Sequence, residues 1–230
     1  HREDVESYPA EWDEAPYLGQ KGYLPHPSPR RAYAAMVSHL DRDVGRILDK
    51  LEELGIADET LVIFTSDNGP TFNGGSDSTF FDSAHGMRGL KCSVHEGGIR
   101  VPCIIAGPGI PAGEVRDDIV SGIDLSATTL ALAGVNLPSH MHGRDVFSPD
   151  YARDHFVAAR DRCDYTIDRI RAVVTKRYKY LRNFMTDRPY LQPQYRDGRA
   201  ALETYRRLYA EGRLNEVQAA FASPHRPAEE

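Results

Sequence analysis

The chain has no apolar run near the roughly 18 residues that a membrane-spanning helix needs. Cysteine is scarce. The three present, Cys92, Cys103 and Cys163, form no C-x-x-C pair, which removes support for a zinc or dithiol redox motif. An odd count leaves at least one thiol free unless it pairs outside the chain, so the redox compartment stays open. Positive charge is not in excess either: 28 Lys and Arg against 34 Asp and Glu give a formal net charge of -6, which excludes a general nucleic-acid-binding role. There is no internal repeat and no visible signal peptide. The chain starts at His1 without a Met and closes on Arg226-Pro-Ala-Glu-Glu230, and neither end reads as a natural terminus. The expectation is a piece of a longer protein, for which a missing leader says nothing about location.

What is present is ordinary globular composition, 40% hydrophobic and 27% charged over 230 residues, enough for one large domain or two small ones. Residues 1–30 carry seven prolines or glycines among acidic and aromatic residues and read as an irregular surface segment. Over 31–54, Tyr33, Met36, Val37, Leu40, Val44, Ile47, Leu48, Leu51 and Leu54 recur at three- and four-residue steps, which predicts an amphipathic helix stopped by Gly55. Leu61-Val-Ile-Phe-Thr65 fits a buried parallel strand, and Val101-Pro-Cys-Ile-Ile-Ala106 a second buried strand. A helix followed by such strands points to an α/β layer architecture. Residues 70–98, rich in Gly, Ser and Asp, read as a long functional loop. Asp124 is placed to cap a helix running to Ala133, with Gly134 ending it. Beyond Pro149 the texture shifts: a strand at 156–159, a hairpin of 171–175 and 178–182 around Lys176-Arg177, and helices at 200–210 and 214–221.

Asp67 and Asn68 stand just past the carboxyl end of a strand, where α/β sheets present ligands. A carboxylate beside an amide carbonyl suits Ca²⁺ or Mg²⁺. The same Asp-Asn-Gly is also good turn chemistry and needs no metal. Lys91, in Gly86-Met-Arg-Gly-Leu-Lys91 before Glu96-Gly-Gly-Ile-Arg100, is a compact point charge suited to a tetrahedral oxyanion, although taken alone it reads as a solvated surface lysine. His85 and Arg88 share that loop, and His85 is able to donate to a leaving oxygen. Arg100 with Glu96 reads as a structural ion pair. Arg160-Asp-Arg-Cys-Asp164 with Asp168-Arg-Ile-Arg171 is either a solvated face or a wall of Arg forks reading an anionic sugar.

As an ordered set these segments resemble the sulfatase family of the alkaline-phosphatase-like superfamily. The strings are Tyr33-Ala-Ala-Met with Leu40-Asp-Arg-Asp-Val-Gly45, Thr60-Leu-Val-Ile-Phe-Thr-Ser-Asp-Asn-Gly69, Gly89-Leu-Lys91 with Glu96-Gly-Gly-Ile-Arg-Val-Pro102, and Asp124-Leu-Ser-Ala-Thr-Thr-Leu with Ala133-Gly134. Residues 156–184 are similar to the branch that includes heparan N-sulfatase, through Arg160-Asp-Arg-Cys-Asp164, Asp168-Arg-Ile-Arg-Ala-Val173 and Tyr178-Lys-Tyr-Leu-Arg-Asn183.

The resemblance implies a portion of a mixed, mostly parallel sheet sandwiched by helices over 1–150, the C-terminal part of a catalytic α/β domain, and a smaller α+β subdomain over 151–230. It implies hydrolysis of a sulfate ester or sulfamate on a sulfated carbohydrate, in an exported enzyme. Asp67 and Asn68 would ligate Ca²⁺, with Mg²⁺ as the alternative. Lys91 would contact the sulfate; on the residues' own chemistry, His85 would serve the leaving group and Arg88, Arg160 and Arg162 would bind substrate. The family's nucleophile is a formylglycine made from Cys/Ser-x-Pro-x-Arg. No cysteine here fits that motif, and Ser7-Tyr-Pro-Ala-Glu11 has Glu where Arg is needed. The formylglycine and half the metal cage are therefore expected upstream, and this chain alone is expected to be inactive. A phosphatase or phosphonate hydrolase of the superfamily would be expected to use two zinc ions and His ligands, which Asn68 disfavours. A non-catalytic glycan-binding chain is told apart by the upstream motif.

Overall fold

The computed structural model describes residues 2–19, 22–163, 166–193 and 200–230. Asp164, part of the charged run singled out above, lies outside the described residues. The chain is α/β and divides into two compact units, His1–Ile110 with Arg196–Glu203, and Pro111–Tyr195 with Thr204–Glu230.

The first unit is organised by the long helix α2 (Pro29–Glu53), which follows a short helix α1 (Arg2–Glu6). Pro29 supplies the fixed φ of a first helical turn, and Gly55, at φ 67, takes the left-handed turn that ends the helix. The N-terminal segment is tied to α2 by Asp4, whose carboxylate accepts from His39 at 2.6 Å and pairs with Arg42 at 2.6 Å. An aromatic cluster of Trp12, Tyr33, Phe80 and Phe81, with ring centroids 4.8–5.9 Å apart, packs beside it. The apolar stripe of α2 is buried only through Ala34 and Ala35, while Met36 is 62% exposed and Leu40 and Ile47 are exposed as well.

Strands β1 (Val62–Thr65) and β2 (Cys103–Ala106) form where the sequence places them, but they pair antiparallel with each other, Phe64 opposite Ile104. This corrects the parallel, buried reading. An apolar β-branched run is the same for either direction of pairing, and mixed α/β sheets carry antiparallel neighbours. Burial needs a layer on both faces. Among the described residues that layer is incomplete, so β1 is half-buried and Ile104 is 62% exposed.

In the second unit, α4 (Gly122–Leu132), which follows the four-residue helix α3 (Glu96–Ile99) of the first, is capped by Ser121 rather than Asp124. Asp124 sits three positions further on and accepts the Ser121 N–H at 2.9 Å. It is fully buried and also accepts from the Arg144 N–H, Tyr151 Oη and both arms of Arg153. Burial alone would raise its carboxyl; the Arg153 hydrogen bonds and the two backbone donors outweigh it and hold it below the usual carboxylate range.

Strands β3 (His155–Cys163), β4 (Thr166–Thr175) and β5 (Lys179–Asn183) make an antiparallel meander. Alternate residues of β4 and β5, namely Ile170, Ala172, Val174 and Leu181, are buried on one face, and a bulge lies between Arg160 and Arg162. The helices α5 (Ala200–Ala210) and α6 (Glu216–Ala222) follow, the latter capped reciprocally by Asn215 and Gln218. The last residues return to β5, where Leu181 and Glu230 exchange backbone hydrogen bonds at 2.8 and 3.0 Å. No helix among the described residues is long and apolar enough to cross a membrane.

Candidate functional site

The connection from β1 to β2 carries the candidate site. Thr65 Oγ1 donates to the Pro102 carbonyl at 2.8 Å, which fixes the end of β1 against the start of β2. Ser66 Oγ donates to the Asn68 carbonyl at 2.8 Å, and Asn68 Nδ2 to the Gly69 carbonyl at 3.0 Å, so the turn after the strand is held by its own side chains.

Backbone bonds then bring the separated strings together. Gly69 N–H donates to the Gly98 carbonyl at 3.0 Å, Lys91 N–H to the Pro70 carbonyl at 2.8 Å, and Gly97 N–H to the Arg88 carbonyl at 2.9 Å. The glycines are required by close approach, because a Cβ on Gly69 would lie 1.9 Å from the Gly97 carbonyl oxygen, and one on Gly97 would lie 2.0 Å from that of Gly89. Gly97→Ala is therefore expected to cost about 1–3 kcal/mol, the usual scale of overpacking. Gly45→Ala, in the interior of α2 with nothing within 4 Å of the added carbon, is expected to gain roughly 1 kcal/mol. Urea midpoints of the two variants check this; equal shifts would remove the close-packing account.

Around this junction several polar groups are uncommitted. Among the described residues the Asp67 carboxylate and the Lys91 ammonium make no hydrogen bond or ion pair, and nothing donates to Asn68 Oδ1. Asp67 is exposed, Asn68 and Lys91 half-buried. A carboxylate, an amide oxygen and an ammonium can together address a hard cation and an oxyanion.

The same loop holds the three non-glycine residues of positive φ among those described: Asp82 at 44°, His85 at 49° and Cys92 at 76°. Such backbone conformations cost about 1–3 kcal/mol each and concentrate at functional sites. His85 is mostly exposed, its Nδ1 3.7 Å from Asp82 Oδ2. His85 and Asn68 line one concave surface with Tyr33, Ser66, Met87 and Arg100, whereas Asp67 and Lys91 are not on its wall. Arg100 was read as structural from sequence. Its N–H does donate to the Glu96 carbonyl at 2.8 Å, but its side chain is exposed at the concavity. The one signal for it was a guanidinium two residues past the Gly97-Gly98 close approach. Arg88 is exposed and its carbonyl anchors Gly97.

The other two predicted residues belong to the second unit. Arg160 sits opposite Ile170 on the inward face, its Nε 3.7 Å from Asp168 Oδ2. Arg162 is exposed at the bulge, opposite Ile167.

Ca²⁺ prefers about six to eight oxygen ligands. Asp67 and Asn68 fit that chemistry as two of them, and no group of three or more His, Cys, Asp or Glu that could hold a metal ion occurs among the described residues.

The family model described as Sulfatase matches residues 2–135, and the one described as N-sulphoglucosamine sulphohydrolase, C-terminal, matches residues 85–222. An ulvan-active sulfatase of Formosa agariphila is 31% identical over 199 residues, covering 84% of this chain and 31% of that protein. Among solved structures, Ps i-CgsB in complex with k-i-k-neocarrahexaose superposes with a TM-score of 0.61 at 24% identity, covering 96% of this chain and 48% of that one. A protein in complex with its substrate, D-glucosamine-2-N,6-O-disulfate, superposes with a TM-score of 0.55 at 26% identity, covering 67% of this chain and 31% of that one. The chain thus spans about a third of the curated relative and less than half of either solved structure. With each family model matching more than half of its length, the chain belongs to the sulfatase family.

Proposed function

We propose that the protein containing this chain hydrolyses sulfate esters or sulfamates of a sulfated glycan and is exported. The observation that carries the reading is the backbone junction that joins the turn of Asp67 and Asn68 to the loop of Lys91 while leaving their polar groups uncommitted. Asp67 and Asn68 would supply two oxygen ligands to Ca²⁺, with Mg²⁺ as the alternative; the bound cation would supply Lewis-acid polarisation of the sulfate. Lys91 places a compact positive charge against the sulfate oxygens, where negative charge builds as the S–O or S–N bond breaks. His85 passes a proton to the departing oxygen or nitrogen. Arg88 and Arg162 bind substrate anions, and Arg160 does so from its place beside Asp168.

This chain has no Cys/Ser-x-Pro-x-Arg motif and two of the cation's ligands, so alone it releases no sulfate. The test compares this chain with the full-length protein on 4-nitrophenyl sulfate and on sulfated oligosaccharides, with Ca²⁺ and with chelator. The expected result is turnover by the full-length protein alone, abolished by chelation and restored by Ca²⁺. Turnover by the purified chain would overturn the half-site assignment. Silence of the full-length protein on every sulfated substrate would leave a non-catalytic glycan binder or a phosphatase or phosphonate hydrolase.

A further inference from the structure

The meander β3–β4–β5 has one buried face and one bare face. On the bare face a central row runs Ala159, Arg171, Arg182 across the three strands, and the neighbouring row runs Val157, Val173, Tyr180. Val157 is 60% and Tyr180 45% exposed. Arg169 precedes Arg171 by two residues on β4, about 7 Å away at strand spacing, and its carbonyl accepts the Phe184 N–H at 2.9 Å. The guanidinium of Arg182 lies 5.8 Å from the Phe184 ring centroid.

The β4 and β5 strands give this face an excess of positive charge, with Asp161 and Glu229 as the carboxylates beside it. Residues 166–184 contain six Lys or Arg and a single carboxylate, Asp168, in a chain whose net charge is -6. That carboxylate is buried on the opposite face against Arg226. The outward cations are weakly engaged. Arg171 pairs with the exposed Asp161 at 2.8 Å and Arg182 with the exposed Glu229, contacts that water and salt screen. Arg162 and Arg169 make no ion pair among the described residues.

We propose that this face is a docking surface for a linear sulfated glycan, with Arg162, Arg169, Arg171 and Arg182 taking the sulfates and Tyr180 and Phe184 the sugar rings between them. Arg forks match sulfate oxygens two at a time, and flat aromatic faces interleaved with them suit sugar rings. A protein partner is the poorer fit, because protein interfaces are depleted of charge at their centre and here the central row is cationic. The choice of a sulfated rather than another anionic glycan rests on the hydrolase reading above.

The probe is a heparin decasaccharide titrated against the full chain by fluorescence anisotropy at several salt concentrations. Arg169→Gln/Arg171→Gln/Arg182→Gln is expected to weaken binding at least tenfold and to lower the salt slope by about three, roughly one per cation. Arg169→Gln alone, at a side chain with no ion pair to lose, is expected to weaken it about threefold and serves if the triple variant does not fold. Arg46→Gln on α2 is expected to change nothing. The proposal is overturned if the triple and single variants bind as the parent does. It is equally overturned if desulfated decasaccharide or a single-stranded oligonucleotide binds as tightly, or if light scattering shows a dimer that the triple variant dissolves. Binding is read without turnover, so a protein that binds here yet cleaves no sulfate ester keeps the docking surface and loses the hydrolase reading alone.

Discussion

Arg226→Met is expected to destabilise the second unit by about 3–5 kcal/mol, the scale for removing one partner of a buried ion pair. Asp168 is 2% exposed on the inward face of β4 and Arg226 is 5% exposed. Both arms of the guanidinium donate to the carboxylate, Nη1 at 3.1 Å, while its Nε donates to the Met185 carbonyl at 3.1 Å. Gln192 Nε2 adds a further donor at 3.1 Å. Without the guanidinium a buried carboxylate keeps only neutral donors and the more distant Arg160. Asp168→Leu/Arg226→Met, which removes both charges, is expected to recover much of the loss. The pH dependence has a defined sign. Burial raises the Asp168 carboxyl, but the hydrogen bonds and charge of Arg226 outweigh it, so the carboxyl is held below its ordinary value of about 4. Its contribution is then complete above the unfolded value and is lost as pH falls through the depressed folded value. In Arg226→Met burial acts unopposed by that cation, so the gap between parent and variant narrows in acid. Urea unfolding at pH 7 and pH 4 measures both effects; a loss under about 1 kcal/mol at pH 7 would show that Arg226 does not hold Asp168 in solution.

Arg226 and Asp168 also mark what sequence does not reveal. Fifty-eight positions separate them, and no periodicity links a β4 aspartate to an arginine in a Pro-rich tail. The charged run from Arg160 reads as a solvated face or a wall of Arg forks for an anionic sugar. Folded, it alternates, Arg160 and Asp168 turning inward and Arg169 and Arg171 outward, because strand geometry sorts neighbours to opposite faces whatever their charge. Local signals fared better. Gly55 ends α2 as expected, although the helix starts at Pro29, two residues before the expected start, and the hairpin around Lys176-Arg177 follows from its flanking β-branched and aromatic residues. Asp124 was recognisable as a capping residue but not by position, since an aspartate serves at the cap or three places inside it. The direction of the β1–β2 pairing was illegible because a short apolar β-branched run is the same for either direction. In the candidate site, Asp67, Asn68 and Lys91 stand out only as members of an ordered set of strings; the reason Gly69 and Gly97 lie beside them is visible once the two backbones are seen crossing.

In the full-length protein, Lys91→Ala is expected to lower kcat/KM for a sulfate ester by about 10²–10³, the cost of removing one group that stabilises transition-state charge. The effect belongs on kcat more than on KM, because the sulfate oxygens gain charge as the leaving bond breaks and a charge placed against them acts most at that point. The variant should fold. The contribution of Lys91 to the junction is its backbone N–H, 2.8 Å from the Pro70 carbonyl, which alanine keeps, and the ammonium has no ion-pair partner to abandon among the described residues. Its stability is expected within about 0.5 kcal/mol of the parent, as for most surface substitutions. Lys91→Arg keeps the charge but spreads it over a larger planar head, so it should restore part of the rate and not all of it. Lys50→Ala, at the exposed end of α2 where the lysine pairs with Glu53 at 2.8 Å, removes the same charge elsewhere and should leave the rate unchanged. Steady-state kinetics on 4-nitrophenyl sulfate with saturating Ca²⁺ separate the cases. A loss below about fivefold, or equal losses for Lys91→Ala and Lys50→Ala, would return Lys91 to the solvated surface lysines and leave the Asp67–Asn68 turn without its anion-binding partner.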